Sequence, residues 1–263
     1  MNTIHGEASG SPVVMTRKES HDKVMHLFKS RNPGRVLDIP CGQGALALRL
    51  REAGFEVSCC DIDAGLFRFG DLPFMQGNLN QKLPYDDESF EYVASIAGIH
   101  RVHRFQFAIS EFSRILVPGG ELILSFPNYS NIERRLKFLF TGSVSKVVNV
   151  MGIHEHHTED PDAHFRQLLL FPQVYFSLEK SGFIVTGLTG DKLKYKSLVL
   201  LPLWLVIKML QGVSSKETRK KLCLKWMSSF EMLFGANNLI VSARKTVTRS
   251  QFRGGRNPSK PSS

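Results

Sequence analysis

The chain has 263 residues, which is enough for one large domain or for one domain with a small lid. A hydrophobic content of 42% with 10% aromatic residues predicts a packed core and excludes a chain that is disordered throughout. The formal net charge of +10 is uneven, because residues 214–263 contain 11 Lys or Arg against 2 Asp or Glu. This local positive charge suggests an acidic partner: a membrane surface, an anionic substrate or a nucleic acid.

The cysteine spacing disfavours both a disulfide framework and a zinc site, because no CxxC occurs and Cys59 and Cys60 are adjacent within a predicted strand. This cysteine usage predicts a reducing, cytoplasmic protein. The N-terminal segment lacks the basic and apolar pattern of a signal peptide. No apolar run reaches the length of about 18 residues that would suggest a membrane-spanning helix.

The first half of the chain alternates between strand and helix patterns after a predicted disordered segment, residues 1–16. A helix is predicted over Thr16–Lys29. The predicted strands are Arg35–Ile39, Phe55–Cys60, Phe74–Gly77, Phe90–Ile96 and Glu121–Phe126, and the helices between them are Ala45–Ala53 and Phe105–Leu116. A Pro-Gly-Gly turn, residues 118–120, is expected before the last of these strands. This alternation predicts a doubly wound, parallel α/β sheet.

The second half is less regular, with a lid or insertion predicted over residues 129–170 and an apolar, basic insertion over residues 191–230. The elements that complete the sheet are helix Phe171–Ser181 and strands Phe183–Leu188 and Asn238–Ala243. Residues 17–245 are therefore predicted to form the domain, and residues 246–263 a flexible basic tail.

A glycine loop, VLDIPCGQG (Val36–Gly44), follows the first predicted strand. Its glycines let the backbone pass close to a ligand and direct the N–H groups of the next helix at that ligand. Gly42 and Gly44 alone also satisfy a dinucleotide pattern. Asp38 disfavours a dinucleotide, because its carboxylate would lie where a pyrophosphate has to approach. A carboxylate there suits a ligand with an ammonium and a sulfonium group, which is S-adenosylmethionine.

The ordered segments over about residues 20–190 resemble class I S-adenosylmethionine-dependent methyltransferases, of the bacterial type 11/23-like group. The glycine loop resembles their first motif. The other matching segments are SCCDID, Gly77-Asn78-Leu79, LPYDDESFEYVAS (Leu83–Ser95) and ISEFSRILVPGGELILSFPN (Ile109–Asn128). The resemblance implies a Rossmann-like, seven-stranded, mostly parallel sheet with a lid region, and S-adenosylmethionine as the cofactor.

The resemblance also assigns residues to the cofactor, with Asp61 on the ribose hydroxyls and Asn78 near the adenine amine. The complete predicted set is Asp38, Pro40, Cys41, Gly42, Gly44, Asp61, Ile62, Asn78, Leu79 and Ser95. Two positions depart from the family pattern. Pro40 replaces a glycine and has no N–H to donate, and Asn78 replaces an aspartate but can still accept a hydrogen bond. The structural alternatives are a plain turn at the glycines, a helix N-cap at Asp61 and a solvated turn at Asn78.

The methyl acceptor is expected beyond the end of the fourth strand, around Ser95–Arg104. Methyl transfer from a sulfonium requires alignment and exclusion of water, and it requires a base only when the acceptor must lose a proton. His100 and His103 are the candidate bases, since imidazole titrates near physiological pH. Arg101 is a candidate ligand of an anionic acceptor. The alternative for all three is a structural or solvated position at a helix start.

Four histidines, His154, His156, His157 and His164, lie among carboxylates in the run IHEHHTEDPDAHFRQ. Imidazole and carboxylate could hold a metal, but a proline interrupts the run and no HExxH helix occurs, so no metal is predicted. The resemblance instead implies a lid over the acceptor pocket, in which His164 would contact the substrate.

Two apolar segments adjoin basic residues. NIERRLKFLF predicts an amphipathic helix whose apolar residues Ile132, Leu136, Leu139 and Phe140 pack inward while its basic face is solvated. Leu198–Leu210 contains 13 residues, too few to span a bilayer, and its basic flanks fit peripheral docking on the inner face of an anionic membrane. A buried helix or a dimer interface is the alternative.

The leading hypothesis is therefore methyl transfer to a small-molecule, lipid-precursor or glycan-precursor acceptor, with oxygen as the receiving atom. A nucleic-acid methyltransferase would explain the charge, but the chain has no aromatic-interleaved basic groove and no NPPY-like motif after the fourth strand. A catalytically silent cofactor-binding or membrane-adaptor protein is the third reading, which Pro40 and Asn78 keep open. The sequence names neither the acceptor nor the oligomeric state.

Overall fold

The computed structural model describes residues 18–144 and 166–246. Seven strands of this part of the chain form one sheet in the order β3-β2-β1-β4-β5-β7-β6. They are β1 (Arg35–Asp38), β2 (Glu56–Asp61), β3 (Phe74–Gln76), β4 (Phe90–Ile96), β5 (Leu116–Pro127), β6 (Phe183–Gly190) and β7 (Asn238–Lys245). Strand β7 runs antiparallel to the other six strands, which are parallel to one another. The predicted doubly wound, mostly parallel sheet is confirmed.

The α-helices connect the strands and form most of the segment between β6 and β7. They are α1 (Lys18–Phe28), α2 (Ala45–Glu52), α3 (Phe105–Ile115), α4 (Ile132–Thr141), α5 (Phe171–Lys180), α6 (Leu201–Val213), α7 (Lys216–Lys221), α8 (Leu224–Met227) and α9 (Phe230–Phe234). Short 3₁₀ helices occur at Ala64–Leu66, Ile99–Arg101 and Tyr195–Leu200.

Two apolar cores lie on the two faces of the sheet, because successive side chains of a strand point to opposite faces. Leu37 of β1 packs in the core that contains α3 and α5, whereas its neighbour Val36 packs in the core that contains α1 and α2. Along β5, Leu122 packs in the core with α3 and α5, and its neighbour Ile123 packs in the core with α1 and α2. This two-sided burial is what a doubly wound sheet requires.

The strand order reverses between β1 and β4, which places the carboxyl ends of β1, β2 and β4 at one crevice of the sheet. Asp38 and Asp61 are the last residues of β1 and β2, and the 3₁₀ helix that contains His100 begins just after β4. The residues predicted for the cofactor and for the acceptor are therefore brought to the same edge.

The Pro-Gly-Gly segment predicted as a turn is part of β5. Phe90 of β4 pairs with Leu116 and Tyr92 pairs with Glu121, so the residues between the two β5 partners form an irregularity in the strand. Gly119 adopts a φ of 82° there, which a residue with a side chain rarely does.

Helix α4 buries Ile132 and half-buries Leu136, as predicted, but the rest of its packed face differs from the predicted one. Leu139 and Phe140, expected to pack, are 72% and 80% exposed. Arg135, expected to be solvated, is partly buried and donates hydrogen bonds to the carbonyl oxygens of Ser130 (2.8 Å) and Met227. These predictions were wrong because amphipathicity alone does not show which face of a helix meets its neighbours. Arg135 is partly buried because the carbonyl oxygens of Ser130 and Met227 accept hydrogen bonds from its guanidinium.

One helical stretch of the described residues, Tyr195–Val213, is long and apolar enough by length and composition to cross a membrane. It contains 19 residues, and 6% of its most apolar 18-residue window is buried. The prediction that this segment is too short was wrong, because the 3₁₀ turn at Tyr195 and the residues up to Val213 lengthen the helical stretch. A fully buried helix, one of the alternatives, is also contradicted.

The predicted disordered segment 1–16, the tail from residue 247 and the histidine-rich run that includes His164 lie outside the described residues.

Candidate functional site

The tip of β1 carries a buried carboxylate with an unpaired oxygen. Asp38 is 1% exposed, and its Oδ2 has no hydrogen-bond partner among the described residues. Burial, followed by the charge of Asp61, raises the pKa of Asp38 to about 8, while a hydrogen bond from the Ala47 N–H opposes the rise. Buried polar atoms are nearly always hydrogen-bonded, so this oxygen points to a ligand that brings a donor or a positive charge.

The glycine loop bends sharply between β1 and α2. Gly42 and Gly44 have φ values of 52° and 87°, in the left-handed region that favours glycine. A Cβ on Gly44 would also lie 2.7 Å from Cδ2 of Phe69, so a larger residue would push the segment after β2 off the loop. The loop geometry therefore depends on glycine at this position, as the motif predicts.

Pro40 lies against the end of β4 and follows a cis peptide bond with Ile39. A Cβ on Gly98 would lie 2.4 Å from Cδ of Pro40 and 2.8 Å from Oγ of Ser95. The proline therefore fills space that a glycine would leave open, and it is accommodated because residue 98 has no side chain. Sequence reasoning missed Gly98, whose role depends on a contact between two loops.

Asp61 at the end of β2 orders the glycine loop. Its Oδ2 accepts a hydrogen bond from the Gly42 N–H (2.7 Å), and its Oδ1 accepts one from the Asp63 N–H (3.1 Å). Burial raises the pKa of this carboxyl, and these backbone donors oppose the rise. Asp63, rather than Asp61, caps the following 3₁₀ helix by accepting from Gly65. Asp61 thus links the strand tip to the loop, and the N-cap alternative for it does not hold.

The loop after β3 forms the far side of the crevice. Gly77 packs so closely that a Cβ there would lie 2.7 Å from Sγ of Cys60. Asn78 accepts a hydrogen bond from the Asn80 N–H through Oδ1 (2.8 Å), and Leu79 is buried. The Asn78 amide oxygen therefore shapes the turn, and an amide oxygen is a group that can also accept from an adenine amine.

Three further predicted cofactor residues lie around this edge of the sheet. Cys41 is buried within the glycine loop, and Ile62 is half-buried next to Asp61. Ser95 in β4 is fully buried, and its Oγ has no partner in the part of the chain that the structure describes. The unpaired hydroxyl lies beside Pro40 and Gly98 and adds a second buried polar atom near the loop.

His100 and Arg101 lie side by side after β4. His100 is 7% exposed, and burial, followed by the charges of Arg101 and Arg166, lowers its pKa to about 3. Its imidazole is therefore neutral at physiological pH, and its Nδ1 has no partner within residues 18–144 and 166–246. Burial and Arg166 lower the pKa of Arg101, whereas Asp61 raises it. The charge of Arg101 thus interacts both with His100, a predicted acceptor residue, and with Asp61, a predicted cofactor residue.

Arg166 is a residue that sequence reasoning passed over. Its charge acts on both His100 and Arg101, and the next residue, Gln167, donates its N–H to the carbonyl oxygen of His100 (2.8 Å). The run IHEHHTEDPDAHFRQ, which contains Arg166, is predicted only to form a lid. Residues 166 and 167 are far from His100 in the sequence, so no local sequence pattern predicts that they lie together.

His103 differs from His100 in its burial. Its side chain is exposed, and its backbone N–H donates to Oδ1 of Asn80 (2.9 Å), as does that of Arg104 (3.1 Å). The described residues contain no group of three or more metal-ligating side chains. His164, the remaining predicted substrate contact, lies outside the described residues.

Residues 37–124 match a family model described as a methyltransferase domain. Over these residues the chain is similar to methyltransferase domains. Among relatives, the demethylmenaquinone methyltransferase of Streptomyces avermitilis is 31% identical over 107 residues, which cover 39% of this chain and 46% of the relative. The ubiquinone/menaquinone biosynthesis C-methyltransferase UbiE of Rhodopseudomonas palustris is 30% identical over 135 residues, covering 44% and 53%. The chain thus spans about half the length of these relatives.

Solved structures share the fold of this chain over most of its length. An S-adenosylmethionine-dependent methyltransferase from Archaeoglobus fulgidus aligns with a TM-score of 0.56 at 16% identity, covering 88% of this chain and 95% of its own. The [4+2]-cyclase SpnF aligns with a TM-score of 0.51 at 18% identity, covering 87% and 81%. Because a cyclase is among these neighbours, the fold alone does not specify the reaction.

The residues of the crevice fit S-adenosylmethionine, the cofactor that the matched family model and the structural neighbours imply. The unpaired Asp38 oxygen offers an acceptor to an ammonium group. Asp61 offers carboxylate oxygens at the next strand end, and the left-handed glycines let a ligand approach the backbone of the loop. Pro40 occupies space against β4 and leaves these groups in place.

Proposed function

We propose that this chain transfers the methyl group of S-adenosylmethionine to an oxygen of a small-molecule or lipid-precursor acceptor. The observation that carries the proposal is the pair of buried carboxylates, Asp38 and Asp61, on adjacent strand ends, with the half-buried Arg101 close enough to Asp61 to interact with its charge. The carboxylates suit the positively charged methyl donor. The arginine suits an acceptor that is negatively charged.

When bound, the cofactor supplies a methyl carbon on a sulfonium leaving group, which needs no further activation. Asp38 would hold the ammonium, Asp61 the ribose hydroxyls, and Asn78 the adenine amine. The domain contributes alignment of the acceptor with the methyl carbon and exclusion of water, the two effects on which such a displacement depends.

The residues after β4 favour an acceptor whose oxygen is acidic. His100 has a pKa lowered to about 3, so it is a weak base for an aliphatic alcohol at neutral pH. Arg101 and Arg166 place two positive charges next to it. These cations would stabilise a phenolate, enolate or carboxylate, so the acceptor could react as an anion without a strong protein base.

Methylation of carbon is the second candidate, because relatives of the chain include a C-methyltransferase. A phenolate or enolate can react through oxygen or through an adjacent carbon, and both reactions need the anion that Arg101 would hold. The two products differ only in which atom of the acceptor faces the methyl carbon.

The test is to incubate the chain with S-adenosylmethionine and either 1,4-naphthoquinol or the non-acidic 2-(2-naphthyl)ethanol. We expect a methylated product from the quinol alone, and NMR would assign the methyl group to oxygen or carbon. Equal methylation of the alcohol would contradict an anionic acceptor. A C-methyl product would replace the first candidate with the second.

Arg101→Gln should lower kcat/KM for the quinol by at least about tenfold, since hydrogen bonds to charged groups contribute about 1.5–3 kcal/mol. Arg104→Gln is the matched control, because Arg104 is exposed and lies over the ring of Phe107. Similar losses in both variants would show that Arg101 has no specific role.

A further inference from the structure

Helix α4 and the helical stretch Tyr195–Val213 together expose an unusual amount of apolar side chain. The members, called the apolar surface below, are Phe138, Leu139, Phe140, Val199, Leu205, Val206, Met209 and Val213. Every one of them is at least half exposed, and Val213 reaches 88%. Soluble domains rarely expose a contiguous apolar patch of this kind without a partner.

The two helices form one surface rather than two separate patches. A groove of about 510 Å³ runs between them and is lined from both sides. Its lining residues are Ile132, Arg135, Leu136, Phe138, Leu139, Gly142, Leu203 and Ile207. The apolar side chains of α4 and α6 therefore lie close enough to bury against the same partner.

The inner face of α6 is attached to the domain. Trp204 donates its indole N–H to the carbonyl oxygen of Ser228 (3.0 Å) and contacts the rings of Phe230 and Phe234 edge-on. This attachment leaves the opposite face of the helix directed away from the protein. The exposed residues are thus held in place on a folded support.

The topology argues against a helix that crosses a bilayer. The segment leaves β6 at Gly190 and returns to β7 at Asn238, and these residues belong to strands that pair directly in the sheet. A single crossing between them would put paired strands on opposite sides of the membrane. The helix can therefore lie along a membrane surface but cannot span it while the sheet is intact.

The charge around the apolar surface indicates which kind of partner it meets. Residues 192–230 contain nine Lys or Arg and one acidic residue, Glu217. Exposed lysines on or next to the helices include Lys137, Lys196, Lys208, Lys216, Lys220 and Lys225. Arg135, in the groove, makes no salt bridge in the described part of the chain. A second copy of this chain would bring the same positive charges together, whereas an anionic leaflet would neutralise them.

We propose that the apolar surface inserts into the interface of an anionic membrane, with α6 parallel to the bilayer plane and the surrounding lysines on the lipid headgroups. This inference goes beyond methyl transfer, because it would hold for an inactive chain as well. Docking of this kind combines buried apolar area with attraction between lysines and anionic lipid.

The test is co-sedimentation of the full chain with vesicles of equal parts phosphatidylglycerol and phosphatidylcholine, compared with vesicles of phosphatidylcholine alone. We expect binding to the anionic vesicles and its loss at high salt. The double variant Phe140→Asp, Met209→Asp should bind at least about tenfold more weakly, since each apolar side chain loses its transfer into the interface. Lys216→Gln with Lys220→Gln should weaken binding about 25-fold, at about fivefold for each lysine.

The matched control is the double variant Phe176→Asp, Ile184→Asp. It changes two exposed apolar residues, one on α5 and one near the start of β6. This control should bind like the unmodified chain, and circular dichroism should show that all variants are folded. Equal losses in the control and the test variant would overturn the proposal. So would an absence of binding to anionic vesicles, or a stable dimer in sedimentation velocity that the Phe140→Asp, Met209→Asp change dissociates.

Discussion

Two regions of the molecule differ in which side chains they bury. One is the crevice at the ends of β1, β2 and β4, and the other is the apolar surface on α4 and α6. The crevice buries charge: Asp38 and Asp61 are almost inaccessible, and Asp38 has an unpaired oxygen. The apolar surface exposes hydrocarbon, with Phe140 and Met209 at 80% and 75%. Each arrangement costs free energy in the isolated protein. Each therefore indicates a ligand or a surface that relieves the cost.

The two regions differ in what would relieve that cost. A buried carboxylate requires a specific donor at a fixed position, which suits a small ligand. An exposed apolar helix with a basic surround requires only an apolar layer beneath anionic groups, which suits a lipid interface. Substitutions in the crevice should therefore act on binding of one compound, and substitutions on the surface should leave that binding unchanged.

The largest effect on ligand binding is expected for Asp38→Asn. The change removes the charge that would meet the cofactor's ammonium group while keeping the shape of the side chain. We expect the affinity for S-adenosylhomocysteine to fall by about 10–100-fold, because charge-assisted hydrogen bonds contribute about 1.5–3 kcal/mol. Isothermal titration calorimetry at pH 8.5 would measure it. An unchanged Kd would remove Asp38 from the cofactor site.

The Asp38 motif was predictable because its chemistry is local: a strand, its terminal carboxylate and two glycines are adjacent in the chain. The alternation of strands and helices and the position of Asp61 followed from several such segments in sequence. The orientation of α4 was not predictable, since Arg135 found its carbonyl partners in a loop and in α8. Gly98 and Arg166 were missed for the same reason, because their partners are distant in sequence.

A second substitution tests the packing beneath the crevice. Gly98→Ala would place a Cβ 2.4 Å from Cδ of Pro40, so the loop or the proline must move. We expect the free energy of unfolding to fall by about 1–3 kcal/mol, as for other overpacked sites. Urea denaturation would measure it. Gly70→Ala is the control, since nothing lies within 4 Å of its Cβ position; an equal loss there would show that the effect is not specific.

The pH dependence of stability should report the burial of Asp38. Its pKa of about 8 in the folded chain lies above the ordinary value of 3.8, so the folded state binds an extra proton between these pH values. Stability should therefore fall as pH rises through this window, at up to about 1.4 kcal/mol per pH unit for one proton. The difference in unfolding free energy between the unmodified chain and Asp38→Asn isolates this contribution. A difference that does not change between pH 5 and 8 would contradict it.

The smallest effect is expected on the apolar surface. Phe140→Asp should change the free energy of unfolding by less than about 0.5 kcal/mol, because the side chain is exposed and makes little contact with the core. It should also leave the affinity for S-adenosylhomocysteine unchanged. Thermal denaturation and calorimetry on one sample would check both. A large loss of stability would mean that Phe140 packs against the protein in solution.

The most direct test of the crevice as the methyl-donor site is a crystal structure of the chain with S-adenosylhomocysteine. The predicted result places the ligand's ammonium on Oδ2 of Asp38, its ribose hydroxyls on Asp61, and Arg101 beside the sulfur-bearing end. A structure in which the ligand is bound elsewhere, or in which these carboxylates make no contact with it, would contradict the assignment.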